Sequence, residues 1–176
     1  MTTTWLRAED CRLGEFHELT AQRTALADYP HAERTEREVL IYDSERLRGV
    51  LDHGASDHGT SDQAAVRAEL ARALLDGPGI IVIKRAFAGP VVDQVTAAFG
   101  ALIEEQRAAG VTRGDHFAKP GANDRVWGAL DKLAVRDPEV FADYYANDML
   151  ALAARAWLGP GYQVTSQVNV VNRSCH

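Results

Sequence analysis

Four groupings of polar side chains have types and spacings that bear on chemistry. His31-Ala32-Glu33 has the His-x-carboxylate spacing that brings two ligands to a mononuclear iron. Such a pair works when a rigid strand presents it; here Pro30 precedes it in a charged segment, so it is read as surface. Asp52-His53 and Asp57-His58 offer imidazoles and carboxylates together, but the turn formers of Asp52–Thr60 preorganise no coordination geometry. His116 and Lys119 share a long stretch without apolar period, where a lysine can hold a carboxylate or phosphate as a point charge. Exposed loop side chains are the competing reading of that pair. Last, Gln163, Thr165, Gln167 and Asn169 alternate with Tyr162, Val164, Ser166, Val168 and Val170. A period of two places the amides on one face of a strand running from Gly161 to Asn172, long enough to require a bulge or bend. That polar face either meets water, as on an edge strand, or lines a ligand cavity as part of a barrel wall.

Composition narrows the classes. A chain of 176 residues, 46% hydrophobic and 25% charged, suits a single domain spanning 1–176. The net charge of -6, with no run of Lys or Arg, argues against nucleic acid as a partner. No segment approaches the roughly 20 apolar residues of a membrane span, and Met1–Asp10 lacks the basic and apolar regions of a signal peptide, so a cytoplasmic protein is expected. Cys11 and Cys175 are too few and too far apart to suggest a disulfide framework or metal knuckle. Neither a dinucleotide or phosphate-loop pattern nor a Gly-x-Ser-x-Gly elbow occurs.

The elements that must position these groups follow in order. Residues 1–38 read as a weakly structured N-terminal arm. Val39–Tyr42 predicts a strand, with Asp43 or Ser44 capping a helix that carries Leu47, Val50 and Leu51. Thr60 and Gln63 have capping-box spacing ahead of a helix with Val66, Leu70, Ala73 and Leu74 on one face. Ile80–Ile83 is a β-branched run of the kind buried on both faces of a sheet. Pro90 opens a helix through Val95, Phe99 and Ile103 to Gly110. Asn123 or Asp124 is expected to cap a helix with Val126, Trp127, Leu130 and Leu133, and Asp137 a second one with Val140, Phe141 and Tyr144. A last helix, Asp148 to Leu158, stops at Gly159-Pro160-Gly161. Trp127, Phe141, Tyr144 and Trp157 fall on apolar stripes and are assigned to the core.

Gly79–Lys84, Gly114–Arg125, Tyr144–Asp148 and above all Trp157–Asn172 together resemble the N-terminal half of bacterial phytanoyl-CoA dioxygenase-like proteins. The resemblance implies an α+β chain with helices packed on the early strands of a double-stranded β-helix, jelly-roll or cupin-like, its barrel incomplete here. It also implies an oxidoreductase that uses Fe(II), 2-oxoglutarate and O2 to hydroxylate a small molecule or acyl-CoA. Gln167 and Asn169 match the family's strand facing the 2-oxoglutarate pocket, and Lys119 its mouth. The family's His-x-Asp and distant His are not matched: after Asn172 the chain reads Arg-Ser-Cys-His176, so no catalytic and no metal-ligating residue is assigned. The expectation is a truncated or frameshifted dioxygenase that binds neither cofactor productively and self-associates through an exposed strand edge. The rival expectation is a non-catalytic α+β module that binds a partner along such an edge.

Overall fold

The computed structural model describes residues 12–52, 61–110, 124–164 and 169–171. After a short helix, α1 (Leu13–Ala21), the first core is assembled on the strand that the Val-Leu-Ile-Tyr run predicts. This is β2 (Val39–Asp43), with the side chains of Leu40 and Tyr42 fully buried. An antiparallel partner, β1 (Arg34–Glu36), reaches it through a two-residue turn in which Arg37 and Glu38 both have positive φ, 51° and 69°. This is the backbone twist a tight hairpin needs, adopted without the glycine or asparagine that would make it easy. Glu38 is held there from outside: its carboxylate accepts the Thr24 backbone N–H at 2.6 Å, and its carbonyl accepts the Thr24 hydroxyl at 2.7 Å.

Asp43 caps the next helix as its sequence position implies, its Oδ1 accepting the N–H groups of Glu45 and Arg46 at 3.0 and 3.2 Å. Helices α2 (Ser44–Asp52) and α3 (Ser61–Leu75) then carry the chain over one face of the sheet to β3 (Ile81–Lys84), which pairs parallel to β2. Leu40, Tyr42, Leu47, Val66, Leu70 and Ala73 meet Met149 and Leu152 in this core. Thr60 of the expected capping box lies outside the described residues, and the Gln63 amide donates to the Leu51 carbonyl at 2.8 Å. The β-branched run is not buried on both faces. It forms the last strand of the order β1-β2-β3; Ile81 and Ile83 pack on the core, while Val82 is 42% exposed and Ile80 58%.

A second core forms further along. Helix α4 (Gly89–Ala108) has Pro90 in its first turn and buries Val95, Phe99 and Ile103, the stripe its period predicts. These meet Val126 of β4 (Asp124–Val126) and Ala129 and Leu133 of α5 (Ala129–Arg136). Asp124 therefore opens a strand and does not cap α5, which starts after Gly128 in the left-handed region. Helix α6 (Pro138–Tyr145) is capped by Asp137, whose side chain accepts the Val140 N–H at 3.1 Å. Helix α7 (Asp148–Leu158) returns to the first core and ends at Gly159, φ +82°. Phe141 and Tyr144 pack on the second core, but Trp127 and Trp157 are 43% and 51% exposed, contrary to their assignment as core.

The expected double-stranded β-helix is overturned. Among the described residues the sheets are an open three-stranded mixed sheet and a two-stranded ladder of β4 with β5 (Asn169–Val171), and helices supply most of both cores. Strands of three to five residues form no barrel wall here. Among the described residues of the alternating stretch, Asn169–Val171 is hydrogen-bonded as a strand and Gly161–Val164 is turn and coil beside α7. No helix of the described residues is long and apolar enough to cross a membrane.

Candidate functional site

Of the polar groups singled out by spacing, the described pair His31 and Glu33 is not brought together. His31 and Glu33 diverge: the His31 ring Nδ1 lies 2.6 Å from Glu69 Oε2, whereas Glu33 pairs with Lys84 at 2.6 Å and Arg34 at 3.2 Å. The Lys84 ammonium, hydrogen-bonded to Glu33, holds that carboxyl below the usual glutamate range. Gln167, Lys119, His116, His176 and the histidines at 53 and 58 lie outside the described residues. Asn169 opens β5 opposite Val126.

Glu69 was not legible as a polar site from sequence, because it sits beside the stripe of α3 and reads as a solvated helix residue. In the fold it is 4% exposed, accepting both the backbone N–H of His31, at 3.1 and 3.2 Å, and the contact from its ring. The fully buried Tyr42 hydroxyl stands nearby without a partner at hydrogen-bonding geometry. Burial first, and then the Glu69 charge, push its pKa well above the tyrosine range. The cluster ties the chain before β1 to α3.

A site with room for a ligand lies beside α7. Asn147 joins α6 to α7: its Oδ1 accepts the Leu150 N–H at 2.9 Å and its Nδ2 donates to the Ala86 carbonyl at 2.7 Å. Helix α7 thus starts at a fixed point and presents two apolar stripes. Met149, Leu152 and Ala156 face the core, while Leu150, Ala154 and Leu158 follow one another at i, i+4 and i+8 on another side. After the Gly159 turn, Tyr162–Val164 comes back alongside this second stripe. Together with Tyr145, Asn147 and Ala151 these residues enclose an open cleft of about 270 Å³. Leu150, Leu158 and Val164 remain 51%, 60% and 58% exposed. No lining residue carries a charge. The signal that could have found the cleft was the doubled stripe, since a helix apolar on two sides needs two covers.

No family model, curated protein or solved structure matches this chain. The resemblance to phytanoyl-CoA dioxygenases is corrected by the fold, which is largely helical around an open sheet where that family has a double-stranded β-helix. Nor does any group of three or more His, Cys, Asp or Glu among the described residues have the placement to hold a metal ion. The expected dioxygenase activity, with its Fe(II) and 2-oxoglutarate, loses its scaffold. The short Gly-, Pro- and Asn-rich segments that carry the resemblance have spacings that fit helix ends and turns equally well.

Proposed function

We propose that this domain binds a small, neutral, largely apolar molecule in the cleft between α7 and Tyr162–Val164. The observation that carries the reading is the lining: aliphatic groups from Leu150, Ala151, Ala154, Leu158 and Val164 form the walls, with the Gln163 amide among them as a hydrogen-bonding group. A volume of about 270 Å³ sits just under the roughly 300–1,000 Å³ typical of small-molecule sites, so a compact ligand is expected. A carboxylate or phosphate entering here would lose hydration without meeting a cation on the lining, which disfavours anionic ligands.

Titration of the full chain with the neutral fluorophore N-phenyl-1-naphthylamine tests this. Saturable, blue-shifted fluorescence is expected, displaced by 1-octanol more readily than by octanoate. Ala154→Trp fills the cleft and should weaken binding by about ten-fold or more, whereas Ala65→Trp, on the exposed side of α3, should leave it unchanged. Absence of saturable binding, or equal affinity in the filled variant, would sink the proposal.

A further inference from the structure

We infer that α7 of one copy docks antiparallel on α7 of a second copy of this chain, seating Trp157 of each against the cleft of the other. Pairing therefore competes with a ligand for the cleft. The competition rests on the ligand-binding reading above; the pairing itself does not.

A helix turns about 100° per residue, so Leu150, Ala154 and Leu158 span about 80° of the circumference of α7, with Trp157 about 20° beyond Leu150. Met149, Leu152 and Ala156, which pack in the first core, point on the order of 150° away. The reverse side of such a helix ordinarily carries charge. Here it is apolar: Leu150, Trp157 and Leu158 are each half exposed or more, and none of the four residues of the stripe is charged.

The order of large and small residues selects a second copy as the occupant. A two-fold axis through Ala154, perpendicular to α7, makes the two helices antiparallel and brings each residue before Ala154 opposite one equally far after it. Leu150 then faces the partner's Leu158, Ala154 the partner's Ala154, and Ala151 the partner's Trp157. Such self-complementarity is the requirement of an isologous contact. Alanine at the axis lets two helices approach to about 8 Å, which brings the flanking leucines into contact. Each indole meets a small residue, and the open cleft of about 270 Å³ beside Ala151 has room for it. With Val164 included, the exposed apolar surface is roughly 400–500 Å² per copy, or about 800–1,000 Å² for the pair, the size of a weak, reversible dimer. Ala151, Ala154 and Leu158 also line the cleft, so a ligand and the partner's Trp157 cover the same side chains.

The test uses the full chain. Sedimentation equilibrium from about 1 µM to about 1 mM should show a monomer passing to a dimer, equally in low and high salt because the seam holds no charge. Trp157→Glu should stay monomeric throughout with unchanged far-UV circular dichroism. With Cys11 and Cys175 replaced by serine, Ala154→Cys should cross-link to itself on mild oxidation, and Ala65→Cys on the exposed side of α3 should not. The pairing is overturned by a monomer at every concentration, by a dimer that high salt dissolves or that folded Trp157→Glu retains, or by absence of the Ala154→Cys cross-link. The cross-link decides if Trp157→Glu fails to fold. The neutral fluorophore should bind parent and Trp157→Glu equally where both are monomers, since Trp157 does not line its own cleft. Where the parent is dimeric, its apparent affinity should be about two- to ten-fold lower than that of the variant, and saturating fluorophore should dissociate the dimer. If the fluorophore binds but leaves the dimer unchanged or tightens it, the competition is overturned while the pairing and the ligand-binding reading stand. If it binds at no concentration, that reading fails and the competition with it, and sedimentation and cross-linking still decide the pairing.

Discussion

The Tyr42 hydroxyl is buried beneath the sheet with no hydrogen-bond partner, next to a carboxylate that two groups of His31 already occupy. An unpaired buried hydroxyl costs about 1–3 kcal/mol of desolvation, so removing it while keeping the ring relieves a cost. Tyr42→Phe is expected to leave urea stability within about 0.5 kcal/mol of the parent or to raise it; a loss above about 1 kcal/mol would show that the hydroxyl is in fact bonded to Glu69. Glu69 is the opposite case. Glu69→Ala leaves the His31 N–H and ring without their acceptor in a site that is nearly dry, and a loss of about 2–4 kcal/mol in the same assay is expected. The burial of Tyr42 followed from its place in an apolar run. The partnership of His31 with a residue on α3 did not, because a contact between distant residues leaves no local period.

At the scale of elements, the hairpin between β1 and β2 is where local preference and tertiary demand conflict. Arg37 adopts φ 51° with nothing in its side chain to favour it. Asparagine tolerates this region better, so Arg37→Asn should stabilise the protein by about 0.5–1 kcal/mol, read as an upward shift of the urea midpoint at constant slope. An unchanged or lower midpoint would show that the turn is set by its Thr24 contacts alone. The elements legible in sequence were those with strong periods or caps: β2, α4, α6 with Asp137, and α7. Those misread depended on neighbours. Ile80–Ile83 has the composition of a central strand, yet composition cannot say whether another strand pairs beyond it, and among the described residues it is the edge.

Across the whole molecule, partly exposed ion pairs and caps tie parts of the chain together, and four of the carboxylates in them, Glu33, Glu38, Asp43 and Asp148, are shifted downward. Hydrogen bonding from Arg48 holds Asp148 below the ordinary aspartate range, the Arg46 N–H does so for Asp43, and the Thr24 N–H, then Arg23, lower Glu38. Glu33 is lowered through Lys84. A carboxyl with a depressed folded-state pKa contributes stability that is complete above its unfolded pKa and is lost as pH falls through the folded value. The melting temperature is therefore expected to be flat above about pH 5 and to decline progressively below the ordinary values of 4.5 and 3.8. Asp148→Asn should flatten part of that decline; an acid limb identical to the parent's would show that the Arg48 pair adds nothing. The sequence by itself determined the helices, the caps and the apolar stripes, because these depend on residues within a few positions of one another. Only the tertiary structure decided that the sheet is open, that two cores form and that α7 offers a second apolar face to a cleft. Those outcomes depend on which distant surfaces meet, and strand pairing and helix packing are selected by total burial, which no local pattern contains.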